Sequence, residues 1–89
     1  MLSMSYNKTR RKDGENMRFT KDIPVGKRIE ILRSLKGISQ KALGSAIGTS
    51  QRRVSDWETA KRYVSTKYRK RMSEYFGVTE DVIFGGKRE

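Results

Sequence analysis

The chain has 89 residues, with 21 lysines and arginines against 10 aspartates and glutamates, and carries a formal charge of +11 at neutral pH. Its length admits one small core, with no room for a separate effector-binding domain. The absence of cysteine and histidine excludes disulfides, thiol nucleophiles, histidine acid–base pairs and the usual zinc sites, so neither an enzyme nor a cofactor or metal is expected.

The positive field around so small a body attracts polyanions, with nucleic acid the first partner to consider. The longest apolar runs are two or three residues, too short for a membrane span. Met1-Leu2-Ser3-Met4 leads into polar residues rather than an apolar leader, so the expected location is the cytoplasm, in association with the nucleoid.

Residues 1–21 hold Lys8, Arg10, Arg11, Lys12, Arg18 and Lys21 with few apolar residues and no periodicity, which predicts a flexible, disordered basic N-terminal arm. Arg10 and Arg11 either reach a duplex, around it or in its minor groove, or belong to a solvated tail. A domain over residues 22–86 follows, with a short tail at 87–89. Asp22 and Pro24 mark a helix start, since proline is preset for the first turn; the helix runs to Lys36 and stops at Gly37. Val25, Ile29 and Leu32 form its apolar stripe. Ile31 and Leu35 form a second stripe, read as widening the core face rather than as a dimer patch.

Ser39 is predicted to cap a second helix with Leu43, Gly44 and Ile47 on one face, ending at Gly48. Ser50 caps a third, with Val54 and Trp57 inward and Gln51, Arg52, Ser55 and Asp56 mainly outward. The run KRYVSTKYRKR at 61–71, with six basic residues and no acid, predicts a loop and a basic fourth helix. That helix carries Tyr68, Met72 and Phe76 at spacings of four and closes at Gly77. Thr79, Asp81 and Val82 open a short fifth helix that ends at Gly85-Gly86. No strand pattern competes, so the fold class is all-α.

The stretch SQKALGSAIGTSQRRVSDWE holds the parts of a helix-turn-helix. Gly44 is small enough for a helix crossing, Gly48 tolerates a left-handed turn, and Leu43, Ile47, Val54 and Trp57 are anchors. From GKRIEILRSLKGISQKALGSAIGTSQRRVSDWE, the chain resembles the phage repressor and Cro family, also called the Xre family, over residues 25–84. The resemblance implies a five-helix bundle of the lambda-repressor type, with residues 50–59 as a recognition helix in the DNA major groove and dimeric binding to inverted repeats. It further implies that Gln40 contacts phosphate and braces Gln51, and that Arg33 and Glu58 form a partly buried, structural ion pair.

Two departures from the family pattern stand out. The loop after the recognition helix, usually Gly-Lys-x-x-Pro, reads Ala60-Lys61-Arg62-Tyr63-Val64 here. Arg69 occupies a usually apolar position of the fourth helix and, being expensive to bury unpaired, is expected to emerge toward solvent, phosphate or a partner.

Glutamine can bond adenine through N6 and N7, and arginine can bond guanine through O6 and N7, which makes Gln51 and Arg52 the first base readers. Ser55 and Asp56 lie one turn further on; Asp56, four residues from Arg52, orients its guanidinium or accepts from a cytosine N4. Phosphate contacts fall to Gln40, to the helix N-termini capped by Ser39 and Ser50, to Arg53, and to Lys61, Arg62, Lys67 and Lys70. Trp57 and Phe76 take inward helical positions, which disfavours single-stranded nucleic acid stacked on aromatic rings.

The expected function is therefore a sequence-specific, double-stranded DNA-binding transcriptional regulator of bacterial or phage type, most simply a repressor. It would bind as a homodimer, with contacts near Tyr75, Phe76, Val82, Ile83 and Phe84, and with RNA polymerase or a regulatory protein as a further partner to consider. The alternative is a protein-interaction module, such as an antitoxin or antirepressor, built on the same fold.

Overall fold

The computed structural model describes residues 19–85; the arm positions Arg10 and Arg11 and the tail at 87–89 lie outside the described residues. The chain runs through α1 (Val25–Lys36), α2 (Gln40–Ile47), α3 (Gln51–Glu58), α4 (Thr66–Phe76) and α5 (Glu80–Phe84). Among the described residues there is no strand, and no helix is long and apolar enough to cross a membrane.

Packing follows the apolar periodicity. Ile29 and Leu32 of α1, Leu43 and Ile47 of α2, and Val54 and Trp57 of α3 meet Met72 of α4 and Ile83 of α5 in one buried cluster. Each such side chain contributes about 1.5–3 kcal/mol by leaving water, which outweighs the weak propensity of helices this short. Pro24 stands one position earlier than a first-turn proline, as the N-cap of α1, where its carbonyl accepts from the Arg28 N–H at 3.0 Å.

Gly26 makes the α1–α3 crossing tight. A Cβ there would stand 2.6 Å from the carbonyl oxygens of both Trp57 and Glu58, so only glycine lets α1 rest on the backbone that ends α3.

Arg28 is a buried cation, 2% exposed. Its Nε donates to the Ile23 carbonyl at 2.9 Å, and its Nη1 donates to those of Ile83 at 3.2 Å and Gly85 at 2.8 Å. The carbonyls closing α5 carry the partial negative charge of a helix C-terminus, which stands in for a carboxylate. Phe19, partly buried against the core, lies under the same guanidinium, 5.6 Å from its ring centroid. Phe19 and Thr20, within the 1–21 stretch whose composition predicts an arm, therefore pack with the domain.

Three further expectations are corrected. Leu35 is 69% exposed and Ile31 only half-buried, because α3 and α5 cover the Ile29–Leu32 face of α1 and leave the second stripe beyond their edge. Val82, Ile83 and Phe84 are buried within their own chain, since a five-residue helix is held only by what it buries; they are not a free dimer surface. Tyr75 and Phe76 remain half-buried, with ring centroids 5.4 Å apart. Arg69 turns back rather than outward: its Nε donates to the Val64 carbonyl at 2.9 Å and its guanidinium lies 4.9 Å from the Phe84 ring centroid. A carbonyl and an aromatic face together satisfy the cation at the core edge.

Candidate nucleic-acid interface

The site is built around α2, the turn and α3. Ser39 Oγ accepts from the Ala42 N–H at 3.0 Å and Ser50 Oγ from the Arg53 N–H at 3.1 Å, so both serines act as N-caps. Between them Gly48 takes φ 84°, a left-handed conformation that reverses the chain in one residue, and Thr49 N–H closes the turn on the Gly44 carbonyl at 2.7 Å. A Cβ on Gly44 would lie 3.0 Å from backbone atoms of Thr49 and Ser50. The small residue thus sits where the sequence places the crossing.

Behind α3, Glu58 ties three elements together. It accepts from Arg33 Nε at 2.7 Å, from Arg33 Nη2 at 3.1 Å and from Gln40 Nε2 at 3.0 Å. The hydrogen bond that the Arg33 guanidinium donates to Glu58, opposed by partial burial, raises the guanidinium pKa above its already high ordinary value. The Arg33–Glu58 pair stands as the resemblance implied. Gln40 differs: its amide donates to Glu58, so it braces the C-terminal end of α3 and not Gln51.

On the outer face Gln51 is exposed, and the Arg52 side chain is 86% exposed. Ser55 and Asp56 are half-buried. The Asp56 Oδ1 lies 3.9 Å from Arg52 Nε, and its Oδ2 lies 3.7 Å from Arg62 Nε. Arg53 departs from its neighbours, half-buried with its guanidinium 5.6 Å from the Tyr68 ring centroid.

Tyr68 is the centre of a second cationic group. Lys67 Nζ lies 5.0 Å from its ring centroid and the Arg71 guanidinium 5.8 Å, while Trp57 packs on it at 5.4 Å. Arg71 also donates to the Ile47 carbonyl at 3.1 Å, fastening α4 to the negative end of α2. Lys61, Arg62, Lys67 and Lys70 are all exposed.

The roles of Tyr68 and Arg71 in this arrangement escaped the sequence reading. Tyr68 shares the four-residue spacing of Met72 and Phe76, but no local pattern shows that Arg71 meets a helix end 24 residues away. Among the described residues there is no cluster of acids able to hold a metal ion.

An exposed, N-capped helix fixed at a set angle to its predecessor, with exposed Gln and Arg side chains at its start and cations beside it, defines the helix-turn-helix class of DNA-binding proteins. Residues 29–83 match the helix-turn-helix family model. The chain belongs to that family, in its phage-repressor-like branch of DNA-binding transcription regulators. It is similar to the P22 c2 repressor, solved in complex with the synthetic operator 9T in the presence of Tl+, with a TM-score of 0.65 and 27% identity over 70% of this chain and 96% of that one. A comparison with curated proteins gives no match.

Proposed function

We propose that the protein is a sequence-specific regulator that binds double-stranded DNA as a homodimer on an inverted repeat, with α3 in the major groove, and represses by occupying its operator. The observation that carries this reading is the outer face of α3. Gln51 and Arg52 start the helix exposed, on a backbone locked by the Ser50 cap and by the Glu58 network behind it. Exposed side chains on an anchored helix suit base edges, where each bidentate contact discriminates by about 1–3 kcal/mol.

Lys61, Arg62, Lys67 and Lys70 supply phosphate contacts, and the N-terminal ends of α2 and α3 add main-chain donors. Arg53 reaches phosphate by leaving the Tyr68 ring. With α5 buried, the dimer surface falls to Tyr75, Phe76 and exposed Leu35, whose neighbour Lys36 lies 5.0 Å from the Tyr75 ring centroid.

A protein-interaction role, as an antitoxin or antirepressor, is the second reading. It is favoured by Tyr63, 82% exposed, beside an apolar groove of about 290 Å³ between Pro24, Val25, Val64 and Phe84. Selection of bound duplexes from a random DNA pool tests the choice. The first reading predicts a palindromic winner with half-sites about 34 Å apart, one helical turn; failure to enrich any sequence promotes the second.

A further inference from the structure

Asp56 faces two arginines with different positions in the fold. Arg52 comes from the first turn of α3, and Arg62 comes from the loop that follows it. Each takes its own carboxylate oxygen, Oδ1 toward Arg52 and Oδ2 toward Arg62, at 3.9 and 3.7 Å between charged atoms. The Asp56 side chain is 18% exposed whereas that of Arg52 is 86% exposed, so the carboxylate is the sheltered member of the pair and Arg52 the exposed one.

Both separations exceed the roughly 2.7–2.9 Å of a hydrogen-bonded ion pair. Neither arginine closes a hydrogen bond on the carboxylate, and both stand at ion-pair distance from it. Arg62 itself projects beyond Asp56, exposed, and the loop that carries it is anchored at both ends. Lys61 N–H donates to the Asp56 carbonyl at 2.8 Å, and Arg69 holds the Val64 carbonyl.

We infer that Arg62 is a positioning residue for base recognition, acting through Asp56 on the orientation of Arg52, in addition to any phosphate it meets. This rests on α3 reading base edges as proposed above. A guanidinium held in one plane presents its two donors to guanine O6 and N7 together. Loss of the Arg62 charge lets the Asp56 carboxylate turn, frees Arg52 to find other acceptors and lowers discrimination at the base pair Arg52 reads.

The test compares affinities for the selected duplex, for the same duplex altered at the base pair whose discrimination Arg52→Ala removes, and for random DNA. Arg62→Ala is expected to weaken binding to all three and, separately, to reduce the preferred-to-altered ratio about fivefold, the factor that 1 kcal/mol of exposed ion pairing represents. Arg62→Lys should restore that ratio in large part, since it keeps the charge beside Asp56. Asp56→Asn should lower the ratio by itself, and adding Arg62→Ala to it should lower it no further.

A ratio indifferent to Arg62→Ala, or one that falls by the same factor with and without Asp56, overturns the positioning role while leaving α3 as the reader. If Arg52→Ala leaves discrimination intact at every base pair, the reading of α3 and the role of Arg62 fall together. Helical circular dichroism of each variant confirms that these exposed changes leave the fold in place.

Discussion

At the scale of single residues, Ala60 shows where this chain departs from an easier solution. It closes α3 at φ 64°, with its own N–H on the Trp57 carbonyl at 3.2 Å and the Lys61 N–H on the Asp56 carbonyl at 2.8 Å. That is a Schellman ending whose left-handed residue is usually glycine. A residue with a Cβ costs about 1–2 kcal/mol there, and glycine returns about 0.4–1 kcal/mol through the freer unfolded chain. Ala60→Gly is therefore expected to stabilise the protein by up to about 1 kcal/mol, raising the melting temperature by several degrees in a calorimetric or circular dichroism melt. An unchanged or lower melting temperature would mean the loop relaxes the strain elsewhere.

The arginines teach a different lesson at the same scale. The exposure of Gln51 and Arg52 was legible, because capping serines and apolar anchors fix which face of α3 looks outward. Arg28, Arg69 and Arg71 were not, because the acceptors that draw them inward are main-chain carbonyls of Ile83 and Gly85, Val64 and Ile47. A carbonyl carries no signature in sequence, and charge alone points outward.

At the scale of elements, boundaries were legible wherever local chemistry sets them. Ser39, Ser50 and Thr79 each accept from a backbone N–H two or three residues into the helix they open, and Gly37, Gly48 and Gly77 each close a helix at positive φ. How the helices lie against one another was legible only in part. Gly44 announced one crossing through the motif around it, but Gly26 reads as an ordinary interior glycine until α3 arrives on top of it. Likewise Leu35 keeps perfect helical spacing and is left uncovered, since periodicity tells which residues share a face and not how far the neighbours extend.

Gly26→Ala separates the two influences on that position. Alanine is the better helix former by about 1 kcal/mol, so in an open helix it would stabilise. With carbonyl oxygens 2.6 Å from the new Cβ, overpacking on rigid backbone costs about 1–3 kcal/mol. Chemical denaturation should show a net loss, along with a shifted α1–α3 crossing that disturbs the Arg33–Glu58 bridge. A gain in stability would show that the crossing is looser than the geometry indicates.

At the scale of the whole molecule, charge and shape serve different tasks. On the proposed reading, the net charge of +11 draws the protein to any duplex and supplies affinity through released counterions, whereas the angle of α3 and the direction of its side chains supply selectivity. The two are separable by salt. Lys61→Ala and Lys70→Ala should each weaken binding to selected and random duplexes alike and flatten the slope of log affinity against log salt by about 0.9 per lost phosphate contact. A slope that does not change removes that lysine from the interface.

If the start of α3 reads bases rather than merely attracting phosphate, Arg52→Ala removes a sequence-specific contact. Affinities of this variant and of the unaltered protein are measured by fluorescence anisotropy on the selected duplex and on random DNA, at one salt concentration. The expected result is a loss of about 1–3 kcal/mol on the selected duplex with nonspecific binding largely kept. An equal loss on both duplexes would contradict it and make Arg52 one more phosphate contact.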